Sequence, residues 1–352
     1  MKKAVLLIAL ALGSTMAFAQ KFDKGELKQL QSFLAMPAAE GATNAQALKI
    51  NNINDPSTWE GVTVENGHVT DIKWKDKKLA GTLSLNNFSA LRSVDVSRNK
   101  ITGFTSTGAS ALTTLNVSRN KLTSFDAENC PQLTDVSVNN NRLSEITLNN
   151  VPFIKNLNVS NNLFVELDMS NSPTLTTLNC QGNRLEQLFV NNCTALKNLY
   201  AGYNKLTGLT FTGVENLTNL NIDDNQISNM IVSGLPSLST FVCTDNNMKT
   251  LGVRDCGALL DLVCSYNDLT EFTVEQCPRL TFVDCSYNDL TQLSLSNQTF
   301  LERLLCNNNE LTMLDVSFDS ALTYINCRFN QIVDLRTMAC PNLRMVACQW
   351  NY

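Results

Sequence analysis

Apolar residues recur along most of this chain with a strict long period. A large aliphatic residue opens a unit at Leu91, Leu112, Leu133, Ile154, Leu175, Leu196, Leu217, Leu238, Leu259, Leu280, Leu301, Leu322 and Leu343, every 21 residues without insertion. Within the unit, positions one, four, six, eleven, fourteen and sixteen are the apolar ones. Position nine is Asn in all thirteen copies, from Asn99 through Asn225 to Asn351. Each unit holds two similar halves: LTTLNVSRN from Leu112 is followed by LTSFDAENC, and LTFVDCSYN from Leu280 by LTQLSLSNQ. Alternation across the fourth to sixth places of each half predicts a short strand. The expected fold class is therefore all-β: a solenoid with two parallel β-faces, two short strands per coil and little helix outside the N-terminal region. No coil buries its apolar face alone, so stability comes from stacking on neighbours.

This pattern, LxxLxLxxNxL, resembles the leucine-rich repeat, and the match covers about three quarters of the chain. The 21-residue period and the Cys at position six resemble the bacterial repeats of internalin J and its relatives, with their cysteine ladder and nested half-repeats. The resemblance implies a right-handed solenoid and a role in adhesion or surface recognition.

Before the repeats, residues 20–90 read as an N-terminal cap. Lys24 to Leu34 carries Leu27, Leu30 and Leu34 at helical spacing. Ala38 to Asn44 reads as a loop, and Asp55 to Gly61 as a turn around Trp59. Val62 to Trp74 reads as a hairpin turning at Asn66-Gly67. Val69, Ile72 and Trp74 form a degenerate further copy, with Lys77 where Asn would stand. Trp59, Gly61 and Val62 resemble the tryptophan-x-glycine-valine feature of leucine-rich-repeat caps. Residues 1–19 read as a secretory signal: Lys2 and Lys3, the apolar Ala4 to Leu12, then the small-x-small site Ala17-Phe18-Ala19. No later stretch is apolar for long enough to span a membrane. The domain division is thus 1–19 signal peptide, 20–90 cap and 91–352 thirteen repeats, the last incomplete. Export predicts a secreted, cell-surface or periplasmic protein.

Composition narrows the chemistry. Charged residues are 17% and the formal net charge is −5, which argues against nucleic acid as a partner. The twelve cysteines fall in two columns, seven at position six and five at position nineteen. In-register neighbours stand about 4.8 Å apart with parallel Cβ vectors. A disulfide needs roughly 3.8 Å and converging vectors. Free thiols used as small apolar groups are expected, and no disulfide, metal or cofactor is assigned. His68 is the single histidine; no catalytic constellation is recognisable around it, and the chain reads as non-enzymatic.

Positions that the repeat leaves pointing outward divide the chain. Early on they are small and polar, as at Thr114, Asn116, Ser118, Asn156, Asn158, Thr177 and Asn179. Later, position five carries Tyr200, Val242, Val263 and Leu305. Position three carries Phe282, Tyr324 and Met345, and position eight carries Tyr203, Tyr266, Tyr287, Phe329 and Trp350. Position ten is basic early (Lys100, Lys121, Arg142, Arg184, Lys205) and acidic late (Asp268, Asp289, Glu310). Large apolar groups at outward positions mark an interaction face; alternatively they shield one another along the rungs and only add stability. The leading expectation is binding of a protein ligand through the C-terminal half of the first face. Glycan binding on the aromatic rows is a second, and a structural subunit of an envelope complex a third. The last rung, ending at Tyr352, is expected to be covered by Trp350 and Tyr352, by a partner, or by a second copy end to end.

Overall fold

The computed structural model describes residues 22–295 and 298–352; the signal-peptide reading of residues 1–19 lies outside them. The chain is a parallel β-solenoid of about thirteen coils. Its first face is one 15-stranded sheet. One strand comes from every repeat, from Ser93–Asp95 through Phe282–Asp284 to Met345–Ala347. Successive strands pair parallel at a constant 21-residue offset, as in Thr114↔Asp135 and Tyr324↔Met345. Each strand is three residues long, because the next residues turn; in all but the last, Met345–Ala347, the middle residue is buried and its neighbours face out.

The cap closes the first coil by meeting its polar and apolar needs together. The helix Lys24–Ala35 starts at Asp23, whose carboxylate accepts the N–H groups of Gly25 and Glu26. Glu26 is buried, accepts the Val69 N–H at 2.8 Å and lies 2.9 Å from His68 Nδ1. That hydrogen bond raises the imidazole pKa above its usual value. Val62–Glu65 and His68–Lys73 form the hairpin, with Asn66 and Gly67 both at positive φ. His68–Lys73 then pairs parallel with Ser93–Asp95, so the degenerate copy is a true rung. Phe33 stacks on Trp74 at 6.2 Å inside the apolar core. One element escapes the sequence pattern: Asn44–Ala47 is a single helical turn held by a Thr43–Gln46 capping box, too short to show periodicity.

The Asn ladder explains why the first face is continuous. From the second repeat to the twelfth the Asn amide donates to carbonyls at positions six and seven of its own coil and at position six of the coil before. Its oxygen accepts the position-eleven N–H of that earlier coil. For Asn267 these partners are Cys264 (3.2 Å), Ser265 (3.3 Å), Cys243 (3.0 Å) and Met248 N (3.1 Å).

The second face has no such invariant residue and is not continuous. It comprises separate small sheets, broken at residues 144–148, 208–211 and 292–295. Beyond the cap, its five strand pairs join Lys100–Thr105 to Ser124–Asp126, Glu166–Asp168 to Gln187–Phe189, Asn229–Ser233 to Thr250–Arg254, Thr250–Arg254 to Glu271–Glu275, and Met313–Asp315 to Asp334–Arg336. In each pair the later coil carries Cys at position nineteen: Cys130, Cys193, Cys256, Cys277 and Cys340 respectively. The coils whose second half does not form a strand pair with the coil before carry Val151, Ser172, Val214, Leu235, Gln298 or Asp319 there. Position nineteen is the second-half counterpart of the Asn position. Cys130, Cys193 and Cys340 donate through sulfur to the carbonyl 24 residues earlier (Ser106 3.1 Å, Met169 3.0 Å, Val316 3.0 Å). The Asn amide makes the same 24-residue step. Cys277 reaches Val253 O at 3.9 Å, and Cys256 bonds within its own turn. A thiol is a weak donor, but it suffices to tie one coil to the last. Burial pushes the Cys130 and Cys193 thiols up, which keeps the donor proton in place.

All twelve cysteines are free thiols; those of position six are buried except Cys348 in the last coil. Desolvation pushes Cys180 up to about 12 and Cys327 up to about 11.

Candidate functional site

The first face is built from three outward columns, at positions three, five and eight. Positions five and eight each have a backbone reason for the residue they prefer, and the C-terminal repeats depart from that preference.

At position five, Asn and Asp close the turn that follows the strand. Asp95, Asn116, Asn158, Asn179, Asn221 and Asp284 each accept the N–H two residues on, at 3.0–3.2 Å. Tyr200, Val242, Val263 and Leu305 stand in the same column and give this bond up. All four are half-buried on the face.

At position eight the backbone is left-handed in every repeat. The residues are Arg98, Arg119, Asn140, Asn161, Gly182, Tyr203, Asp224, Asp245, Tyr266, Tyr287, Asn308, Phe329 and Trp350, with φ between 47° and 65°. Asn, Asp and Gly suit this conformation; a bulky aromatic residue costs about 1–2 kcal/mol there. Five aromatic residues accept that cost while exposed: Tyr203 at 58%, Tyr266 at 50%, Tyr287 at 43%, Phe329 at 49% and Trp350 at 73%. Stacking offsets part of it. The Tyr266 and Tyr287 rings lie 4.3 Å apart with 9° between planes, and Phe329 and Trp350 lie 5.8 Å apart with 7°.

At position three, Phe282, Arg303 and Tyr324 follow one another on adjacent strands. The Arg303 guanidinium carbon is 5.2 Å from the Phe282 ring centre and 5.9 Å from that of Tyr324. Arg303 was not singled out by its sequence position: one charge in a column of mixed residues carries no signal until its neighbours are known. Asp223 and Asp224 raise the Tyr203 phenol above its usual pKa, so it stays a hydrogen-bond donor at neutral pH.

The second face also carries exposed apolar groups. Val333 is 76% exposed and Met338 67%, with Phe318, Met313 and Phe300 nearby in the chain. An opening of about 610 Å³ lies at the break over residues 292–295, lined in part by Leu293, Met313, Phe318 and Asp319. The buried Asp319 carboxyl is pushed up to about 6, first by desolvation and then by Asp315. Apart from Met313, which opens a strand, these side chains sit on turns or bends beside broken sheets, whereas the first-face columns sit along a continuous one.

The fold has many solved counterparts. YopM of Yersinia pestis, described as a leucine-rich effector protein, is 25% identical with a TM-score of 0.57, over 77% of this chain and 78% of that one. The internalin InlF of Listeria monocytogenes is 15% identical with a TM-score of 0.52, over 91% and 94%. The InlJ functional domain of Listeria monocytogenes, described as including a cysteine ladder, is 25% identical with a TM-score of 0.48, over 71% and 68%. No family model and no curated protein matches the chain. Its repeat, its ladders and its likeness to YopM define the fold as a parallel leucine-rich-repeat solenoid.

Proposed function

We propose that this chain is an exported, non-enzymatic recognition protein that binds a protein partner through the C-terminal half of its first face. The observation that carries the reading is the departure of positions five and eight from their backbone preference. Side chains that forgo a turn-closing bond, or occupy a left-handed backbone with an exposed ring, weaken the fold locally. They cluster from Tyr200 to Trp350 on one rigid sheet. Retained local strain at exposed aromatics points to a use outside the fold. YopM, an effector by its description, and the internalins share the architecture; the apolar and aromatic columns are the support from this chain's own residues.

The arrangement of rings favours protein over glycan. A sugar ring packs on an aromatic face, and each paired ring has one of its two faces covered by its partner. The test replaces Phe282, Leu305 and Tyr324 with Ser and compares capture of partners from the native envelope with a Val333→Ser/Met338→Ser control. Retention at wild-type level by the first-face variant, with its fold intact by circular dichroism, removes this face. Binding on a glycan array that the first-face variant abolishes replaces the protein reading by the sugar reading. A mass-doubled species in light scattering, lost when Trp350 and Tyr352 are changed to Ser, would instead favour docking through the last rung.

A further inference from the structure

Position three and position eight of one repeat, that of Leu301, combine two features found together nowhere else on the first face. The first is Arg303, exposed, with its guanidinium carbon 5.2 Å from the Phe282 ring centre and 5.9 Å from that of Tyr324. Among the described residues, no carboxylate of this chain pairs with it. The rings on the two neighbouring rungs bracket a guanidinium whose N–H groups have no acidic partner in the chain. The planar fork of a guanidinium matches a carboxylate bidentately. Rings on both sides restrict the rotamer freedom that an arginine ordinarily loses on binding.

The second feature is Asn308. It interrupts the aromatic column between the Tyr266–Tyr287 stack and the Phe329–Trp350 stack. Tyr287 and Phe329 stand two rungs apart, or about 9.6 Å at the usual strand spacing. A ring entering over Asn308 would lie about 4.8 Å from each neighbour, between the 4.3 Å and 5.8 Å spacings of the two stacks already present. Neither of these two ring faces is covered by an adjacent aromatic, and no other single-rung gap in the column has an aromatic residue on both sides. The Asn308 amide makes no hydrogen bond with another described residue and lies at the base of the slot. Five residues separate Arg303 from Asn308, so the two features are at most about 18 Å apart.

We propose that this repeat is a two-point clamp for a protein segment that presents an acidic side chain to Arg303 and an aromatic ring to the slot over Asn308. It deepens the first-face reading above and rests on it. A carboxylate alone satisfies the fork and leaves the slot; an aliphatic segment fills neither. The acid and the aromatic residue fall within about five residues of each other in an extended partner strand.

The test uses an array of synthetic nine-residue peptides, each with one Asp and one Tyr at separations of one to five residues. Matched controls carry Asn for Asp or Ser for Tyr. The wild-type chain is expected to retain a subset of Asp–Tyr peptides at least about tenfold over both controls, the scale of a bidentate charged contact. Arg303→Gln is expected to abolish the preference for Asp over Asn while keeping that for Tyr. Asn308→Tyr fills the slot and is expected to do the reverse. That variant is compatible with the fold, because the same left-handed position holds Tyr in Tyr266 and Tyr287. Retention of no peptide with both preferences overturns the clamp, as does retention that neither variant alters. Native-envelope capture separates this from the broader reading. If the Phe282/Leu305/Tyr324 variant loses its partner while Arg303→Gln and Asn308→Tyr keep it, the face stands and the clamp fails. If all three keep it, both fail.

Discussion

Asn267 offers the sharpest perturbation of the ladder. Its oxygen is the only acceptor for the Met248 N–H, at 3.1 Å. Its amide serves three carbonyls, but each of these has a second donor. Cys243 O is also reached by Asn246, Cys264 O by Asn288, and Ser265 O by the Asp245 N–H. Asn267→Ala therefore orphans one buried N–H, at about 1–3 kcal/mol, and forfeits charge-neutral bonds worth about 1 kcal/mol net. The expected loss is about 2–4 kcal/mol by urea denaturation followed by circular dichroism. Asn267→Asp keeps the acceptor but sets a carboxylate among three carbonyl oxygens. Its folded-state pKa is then raised above the unfolded one. The protonated form carries no penalty below the unfolded value, and the destabilisation grows as pH rises through the folded one. Asn267→Asp should thus approach the wild type at acidic pH and fall below Asn267→Ala at neutral pH. A loss under about 0.5 kcal/mol for Asn267→Ala, in the range of an ordinary surface change, would refute the rung-to-rung role of the ladder.

Three further outcomes follow from the same geometry. Tyr203→Asn, at an exposed left-handed position outside the two stacks, should stabilise the fold by about 1 kcal/mol while weakening partner binding; destabilisation would contradict the strain argument. Cys193→Ala should lose amide-exchange protection at Gln187–Phe189, and Val214→Cys should gain it near residues 208–210, because a position-nineteen thiol closes the second face; unchanged exchange in both would sink that rule. Asp319→Asn should stabilise the protein at pH 7 by up to about 3 kcal/mol, for a shift of some two units. The raised carboxyl pKa costs nothing below about pH 4 and its full amount above the folded value of about 6, so the gain should vanish near pH 3.5.

The first face was legible in the sequence because its determinants are periodic. A large aliphatic residue at position one and Asn at position nine recur in all thirteen copies, the middle residue of the first-face strand is buried in all but the last, and so many copies average out local anomalies. The cap hairpin was legible for a different reason: Asn66-Gly67 has a conformational preference that few pairs share. The second face was legible as a face, but its breaks were not. Its closure depends on one side chain per coil whose role is visible only when Cys130 is seen donating to Ser106 O; in sequence, the same cysteine reads as packing. The aromatic columns were legible as outward, but not their cost. Position eight looks like the end of a strand, and only the dihedral angles show that Tyr287 stands where Asn or Gly would be at ease. Arg303 became visible only through the rings on either side. The exposed Val333 and Met338 lie at positions that are polar in most other copies, and nothing in the period singles them out.

Site-specific photocrosslinking tests the central claim most directly. A photoreactive phenylalanine analogue is placed at Leu305 on the first face or at Val333 on the second, and each protein is irradiated in native envelope extract. Both sites lie on the same C-terminal stretch of solenoid, and Val333 is the more exposed, so accessibility alone favours the second face. The account predicts a discrete protein adduct from position 305 and none from position 333. An adduct from 333 with none from 305 would contradict it.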